Sequence, residues 1–220
     1  MKKRILIIAM SFIVLVMTIA GATTAYFTDT DKATNVFTVG KVDITLTEEC
    51  TDRNGVSLVA TTDTNGYSVY TFGNLYPDQE YGKKATITNI GTENAYVGAT
   101  ITITSDSTIG TLLKDEATIR AFLSGLVNAG DGYAISGMDN IEATDKVITL
   151  VITKNDALTT AENSKTAVLM EKVCVNKDWD NAEMAQLGNF NIVINAYAVQ
   201  TVGFTTAAAA LHAAFGSVFP

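Results

Sequence analysis

The stretch Phe190–Val199, which reads FNIVINAYAV, decides the fold class. Every second residue from Phe190 to Ala198 is apolar, and this period of two is that of a β-strand with one buried face. The runs Ala95–Thr104 and Lys146–Thr153 (KVITLVIT) are also long and rich in Val, Ile and Thr. Such residues favour strands. Three long strands of this kind indicate a mainly β protein.

Shorter segments complete the sandwich that these strands begin. Asn54-Gly55 and Asn65-Gly66 predict tight turns between strands, because both residue types tolerate positive φ. Helical spacing is confined to Lys114–Val127, Asp180–Leu187 and Ala207–Phe215. Many strands with a few inserted helices imply an antiparallel β-sandwich. The other predicted strands are Val36–Val39, Val42–Leu46, Val56–Ala60, Tyr67–Phe72, Ala85–Thr88 and Thr166–Val175.

The N-terminus has the pattern of a helical signal peptide. A basic start, Met1 to Arg4, precedes an apolar run of 16 residues from Ile5 to Ala20. That run is shorter than the roughly 20 residues that a membrane-spanning helix needs. Thr23 and Ala25 stand at the −3 and −1 positions of a cleavage site, so Tyr26 would begin the mature chain. An uncleaved N-terminal anchor is the alternative. Cleavage predicts a secreted protein that meets the membrane only through its signal, residues 1–25.

Charge limits the partners. Removal of the three positive charges in the signal moves the formal net charge from −8 to −11. An acidic surface repels phosphate backbones, so we expect no nucleic-acid binding. Export permits a disulfide between Cys50 and Cys174 without requiring one. Sequence alone does not decide whether the two cysteines come within bonding range.

No catalytic, cofactor or metal site is predicted. His212 is the only histidine and lies in the Ala-rich C-terminal segment, which we interpret as a surface or packing position. A common zinc-protease motif needs two histidines one turn apart, which this chain cannot supply. The pairs Asp29/Asp31, Asp52/Asn54 and Asp63/Asn65 resemble the start of a calcium loop, but none continues to the closing glutamate.

Three segments resemble the TasA/camelysin family of secreted biofilm-matrix fibre proteins from Gram-positive bacteria. The first runs from the cleavage region through Tyr26-Phe27-Thr28-Asp29 to Phe37-Thr38-Val39-Gly40-Lys41-Val42-Asp43-Ile44. The second is Phe72-Gly73-Asn74-Leu75-Tyr76-Pro77-Asp78, which lacks the glycine that the family has after proline. The third is the closing strand Phe190–Gln200. Residues 105–188 match poorly.

The resemblance implies a jelly-roll sandwich over residues 36–220, with helical insertions around 105–188. It also implies cleavage by a SipW-type signal peptidase, and assembly in which a flexible segment, 26–35, adds a strand to a neighbouring subunit. Tyr26, Phe27, Val36 and Phe37 are apolar or aromatic and would be buried by such strand addition. Alternatively, the segment folds back onto its own domain as its first strand.

Three functions follow as hypotheses. The first is a non-enzymatic fibre subunit of the extracellular matrix, whose partners are further copies of itself and other matrix proteins. The second is a secreted metallo-endopeptidase, because some family members carry that label. The third is a monomeric surface adhesin or binding module that uses residues 105–188.

Overall fold

The structure is a computed structural model that describes residues 28–32, 42–62, 68–70, 72 and 75–220. Most strands form two antiparallel sheets, so the predicted mainly β sandwich is confirmed. The strands are β1 (Thr28–Lys32), β2 (Ile44–Thr51), β3 (Thr61–Thr62), β4 (Ser68–Val69), β5 (Glu80–Asn89), β6 (Ala95–Ser105), β7 (Leu123–Ser124), β8 (Tyr133–Ser136), β9 (Val147–Lys154), β10 (Thr166–Cys174) and β11 (Phe190–Gln200).

The sheets differ in size and are joined by repeated crossings. One has five strands in the order β1-β11-β6-β9-β8, and the other has four in the order β2-β5-β10-β7. In the described residues, the chain changes sheet between β1 and β2 and between β5 and β6. It then visits the smaller sheet for β7, returns to the larger for β8 and β9, and crosses twice more, to β10 and back to β11. This alternation is the jelly-roll-like arrangement expected. β3 and β4 pair only with each other.

The alternation seen in the sequence places one side chain in two into the core between the sheets. Ile101 and Ile103 on β6 and Ile194 on β11 are at most 2 % exposed, as are Ile44 on β2 and Ile87 on β5. All five belong to one continuous hydrophobic cluster. Burial of a side chain of this size stabilises the fold by about 1.5–3 kcal/mol. The two sheets therefore form a single packed body.

In the described part of the chain, three short α-helices lie outside the sheets: α1 (Glu116–Phe122), α2 (Asn181–Leu187) and α3 (Ala207–Phe215). α1 is shorter than the predicted helix over Lys114–Val127. Its C-cap residue, Leu123, leaves the helical conformation and pairs with Val173 of β10. α2 and α3 begin after Asp180 and Thr206, whose side chains cap the free backbone N–H groups of the first turn.

Other differences from the sequence prediction concern short segments. Val56–Ala60 is not a strand: its residue Ser57 makes one isolated bridge to Thr51, while Val59 is 87 % exposed. β8 was not predicted, because four residues are too few to show a period. Residues 105–188 contribute β7 to β10 to both sheets in addition to α1 and α2. The predicted strand Val36–Val39 lies outside the described residues. Within the described residues, no helix has the length and apolar character needed to cross a membrane.

Candidate functional site: the β1 edge of the five-stranded sheet

The N-terminal strand β1 forms one edge of the larger sheet. It pairs antiparallel with β11, from Thr28 opposite Val199 to Lys32 opposite Asn195. β11 is eleven residues long and pairs along its whole length with β6 on its other side, from Phe190 opposite Ser105 to Gln200 opposite Ala95. Within the folded chain, β1 therefore occupies the position of a strand added to the edge of a sheet.

Small residues line the inner side of β11 beneath this edge. Ala196 and Ala198 are fully buried and lie opposite Asp31 and Asp29 of β1 in the strand register. Their partners on β6, Ala99 and Val97, are also buried. Side chains of this size allow the two sheets to approach closely at this edge. β11 therefore packs into the core at the positions where it pairs with β1.

The outer side of β11 is covered by α3 and the C-terminal residues. The ring of Tyr197 makes edge contacts with Phe215 and Phe219, at centroid distances of 5.1 and 5.3 Å. Phe219 lies over Gly98 of β6, where an added Cβ would come within 2.5 Å of the Phe219 ring. Gly98 is therefore required by the close approach of this ring. These aromatic contacts hold the part of β11 that pairs with β1.

His212 holds the C-terminal residues against α3. Its Nδ1 lies 2.8 Å from the carbonyl oxygen of Phe219, which can only accept a hydrogen bond, so Nδ1 carries the proton. The contact keeps Phe219 in its buried position, where it is 4 % exposed. This agrees with the interpretation of His212 as a surface or packing residue. Through Phe219, the side chain helps to hold the aromatic cover on β11.

The disulfide considered for Cys50 and Cys174 does not form in this structure, in which both thiols are free. Cys50 on β2 lies opposite Lys83 of β5, and Cys174 on β10 lies opposite Glu80 of the same strand. β5 therefore separates them. Strands two positions apart are about 10 Å apart, whereas disulfide-bonded Cα atoms lie within about 7 Å. The two cysteines could pair only if the sheet rearranged.

Cys50 instead belongs to a buried polar group between the sheets. Lys83 Nζ donates a hydrogen bond of 2.7 Å to Glu48 Oε1, and both side chains are at least nine-tenths buried. The hydroxyl of Tyr70 donates to the Glu48 carbonyl oxygen. Burial raises the pKa of the Cys50 thiol to about 11, although the Lys83 charge opposes the shift. Cys50 is thus a protected, neutral thiol at physiological pH.

Residues 1–54 match the family model described as Camelysin metallo-endopeptidase. This match contains the signal region, β1 and β2, and it confirms the TasA/camelysin resemblance over that part of the chain. The rest of the sandwich lies outside the matched segment. No curated protein and no solved structure matched the chain.

The description of the camelysin family implies a metal ion, and the residues present can be tested for a donor set. In the part of the chain that the structure describes, no three His, Cys, Asp or Glu side chains come close enough together to hold a metal ion. His212, the only histidine, donates through Nδ1 to Phe219, and no Asp or Glu occurs between 184 and 220. The described residues therefore do not fit a zinc centre of the protease type.

Of the three pairs that resemble the start of a calcium loop, Asp52/Asn54 has a structural role in a turn. Asp52 Oδ1 accepts hydrogen bonds from the backbone N–H groups of Asn54 and Val56, at 2.8 and 2.9 Å. These bonds lower the pKa of Asp52 and close the turn around Gly55. Asp29 and Asp31 lie on β1, while Asp63 and Asn65 lie outside the described residues.

All of the residues predicted for cleavage and strand donation lie outside the described part of the chain. They are Thr23, Ala25 and Tyr26 for cleavage, and Tyr26, Phe27, Val36 and Phe37 for donation. The structure does show the middle of the donor segment, as β1. Sequence reasoning did not identify the cover formed by Tyr197, Phe215 and Phe219. The aromatic residues at the end of α3 and beyond it, Phe215 and Phe219, were its sequence signal.

Proposed function

We propose that the chain is a secreted structural protein of the extracellular or biofilm matrix, which polymerises when β1 of one subunit joins the sheet of the next. One observation carries this proposal: among the described strands, β1 occupies the outermost position of its sheet and pairs only with β11. Its place is the one that a donated strand would take. The family match, which covers the N-terminal segment that contains β1, supports the same proposal.

The exchange of β1 between subunits keeps its pairing. Backbone hydrogen bonds to β11 are the same whether β1 comes from the same chain or from a neighbour, which makes such swaps a low-cost route to assembly. Nine residues, 33–41, separate β1 from Val42. When extended, they reach about 30 Å, which is enough to reach an adjacent subunit. In this proposal, β1 therefore pairs either with β11 of its own chain or with β11 of a neighbouring subunit.

Cleavage of the signal would control when this exchange begins. β1 starts three residues after the predicted cut at Ala25, so the uncut signal would tether it to the membrane. Release by a SipW-type signal peptidase would free the strand outside the cell. In this proposal the signal peptide both directs export and prevents early assembly.

The two other functions have less support. The described residues contain no metal donor set for a camelysin-type peptidase. In a monomeric adhesin based on 105–188, β1 would remain the edge strand of its own sheet, and the family match lies outside that segment. We therefore propose a non-enzymatic fibre subunit.

Directly opposed positions on β1 and β11 allow a covalent test. Lys32 and Asn195 face each other in the register, and opposed residues of an antiparallel pair have Cα atoms about 4.5–5.5 Å apart, within disulfide range. The variants Lys32→Cys and Asn195→Cys are made in a Cys174→Ser background. When the two single variants are mixed and oxidised, donation predicts disulfide-linked heterodimers.

The double variant, Lys32→Cys with Asn195→Cys, locks β1 onto its own β11. We expect the oxidised form to make no fibres under electron microscopy, and reduction to restore them. Thr47→Cys, on an exposed position of β2, is the control for random thiol pairing with Asn195→Cys. Fibres formed by the locked protein, or cross-linking no better than in this control, would show that strand donation is wrong.

A further inference from the structure

The outer face of the five-stranded sheet is only half covered. α3 and the C-terminal residues cover one half by packing against Tyr197 and Val199 of β11, Tyr96 and Gly98 of β6, and Val151 of β9. The other half, here called the open face, lies beside Phe190–Asn195 of β11. It consists of the outward positions Asn191, Val193, Thr102, Thr104, Val147 and Thr149.

The register arranges the side chains of the open face in rows. One row joins Val193 to Thr102 and Thr149, and the next joins Asn191 to Thr104 and Val147. The intervening residues on these strands, such as Ile148 and Ile194, point into the core and are buried. Val193 and Val147 are 50 % and 51 % exposed, and the hydroxyls of Thr102 and Thr149 bond to each other at 3.2 Å. The surface is therefore regular, partly apolar and exposed.

Charge distinguishes this face from the rest of the molecule. The chain has a formal net charge of −8, yet no Asp, Glu, Lys or Arg occurs from residue 184 to 220. The outward positions of β6, β8 and β9 are likewise uncharged over the described strands. In contrast, the outer face of the four-stranded sheet carries the ion pairs Glu49–Lys84 and Glu80–Lys172. The open face is therefore an uncharged area on an acidic protein, and Lys32 of β1, which lies opposite Asn195 in the register, is at its edge.

We propose that the open face is a contact surface for the open face of a second copy of this chain. Two acidic copies repel each other wherever their carboxylates meet, so association favours the uncharged area. Interface centres are depleted in charged residues, and charged side chains belong to the rim. That rim is present at the end of the face, where Lys146 Nζ donates to the Asp106 carbonyl oxygen.

The shape of the face fits the same partner. Outer sheet faces that carry β-branched side chains can stack about 10 Å apart, as the two layers of a sandwich do. A contact between identical faces is closed by a two-fold axis and needs no second type of surface. It uses side chains of β6, β9 and β11, whereas strand donation uses the backbone edge of β11. The contact would therefore join subunits or fibres side by side.

The test places a positive charge on the open face. Val193→Lys adds one lysine at an exposed strand position, and Thr47→Lys adds one at an exposed position of β2 on the opposite sheet. Both variants change the net charge equally. They are studied in the locked double-cysteine protein, which keeps β1 on its own β11, and circular dichroism checks the fold. Sedimentation equilibrium then measures self-association without strand donation.

We expect the locked protein to dimerise, and Val193→Lys to weaken its dimer at least about tenfold because like charges would meet across the two-fold axis. Thr47→Lys should leave the dissociation constant unchanged, and Thr149→Lys should repeat the effect of Val193→Lys. A locked protein that stays monomeric, or equal effects of the Val193 and Thr47 variants, would overturn the proposal. Because strand donation is blocked throughout, this result is independent of whether the unlocked protein forms fibres.

Discussion

At the residue scale, the Cys50 thiol is buried and stays protonated at physiological pH. It is 3 % exposed and lies among Tyr70, Glu48 and Lys83, where burial raises its pKa to about 11. The Glu48 carboxylate adds to this rise, and the Lys83 ammonium group partly opposes it. Cys174 is less buried, and its pKa is also raised, chiefly by burial. Neither thiol is activated as a nucleophile.

The raised pKa of Cys50 predicts a loss of stability in alkaline solution. Below pH 9 the thiol is protonated in both the folded and unfolded states, so its contribution is fully present. Between pH 9 and 11 the unfolded state ionises first, and the free energy of unfolding should fall by about 2–3 kcal/mol. Denaturant titrations across this range test the effect. Cys50→Ser should flatten the profile more than Cys174→Ser does. Parallel profiles for the wild type and Cys50→Ser would contradict it.

Individual partnerships of this kind could not be read from the sequence. Cys50 and Cys174 are both in strands, but the sequence does not say that β5 lies between them. Likewise, the need for glycine at position 98 depends on its contact with Phe219, which is distant in the sequence. Contacts between distant residues depend on strand order, which a period of two does not specify.

At the scale of elements, α3 covers β11, the strand that pairs with β1. Ala207, Ala210 and Leu211 face the sheet and are buried, and the helix begins with a capping hydrogen bond from Ala209 N to Thr206 Oγ1 at 3.2 Å. Without α3, Tyr197 and Val199 of β11 would lose their apolar cover. The stability of α3 therefore affects β11, the strand with which β1 pairs.

Loss of the helix cap should weaken this part of the molecule. We expect Thr206→Ala to lower the free energy of unfolding by about 1 kcal/mol, the usual cost of removing an N-cap hydroxyl. Thr205→Ala is the matched control, because Thr205 is an exposed neighbour outside the cap position. Urea unfolding followed by circular dichroism measures both. Equal stabilities of the two variants would show that the cap contributes nothing.

The elements that sequence reasoning found best are those with the longest patterns. β6, β9 and β11 agree with their predicted limits to within one residue at each end, because each buries one face over eight to eleven residues. β7 and β8 have only two and four residues, too few to show a period. For β1, the sequence allows both donation to a neighbouring subunit and pairing with its own domain, and the structure has the second arrangement. Both depend on the same polar segment, TDTDK, and composition does not choose between them.

At the scale of the whole molecule, repulsion between negatively charged subunits would oppose the proposed assembly through β1. The formal net charge is −8, and it becomes −11 after the predicted cleavage. Some carboxylates keep their charge in mild acid. Hydrogen bonds, first from the Thr118 backbone, lower the pKa of Asp115, and the Lys172 hydrogen bond lowers that of Glu80. Hydrogen bonds, first from the Val56 backbone, also lower the pKa of Asp52, so these carboxylates contribute repulsion down to lower pH.

Acid should therefore accelerate fibre formation. Between about pH 7 and pH 4.5, carboxylates with ordinary pKa values near 4 begin to lose their charge, which reduces repulsion between subunits. Salt at neutral pH should act in the same direction, because about 0.15 M salt screens charges beyond roughly 8 Å. Light scattering with electron microscopy measures the rate and the product. The locked Lys32→Cys, Asn195→Cys protein distinguishes fibres from acid precipitation, since it should scatter little at either pH. A rate that is the same at neutral and acid pH would mean that charge repulsion does not limit assembly, and that release of β1 from its own β11 is the slow step instead.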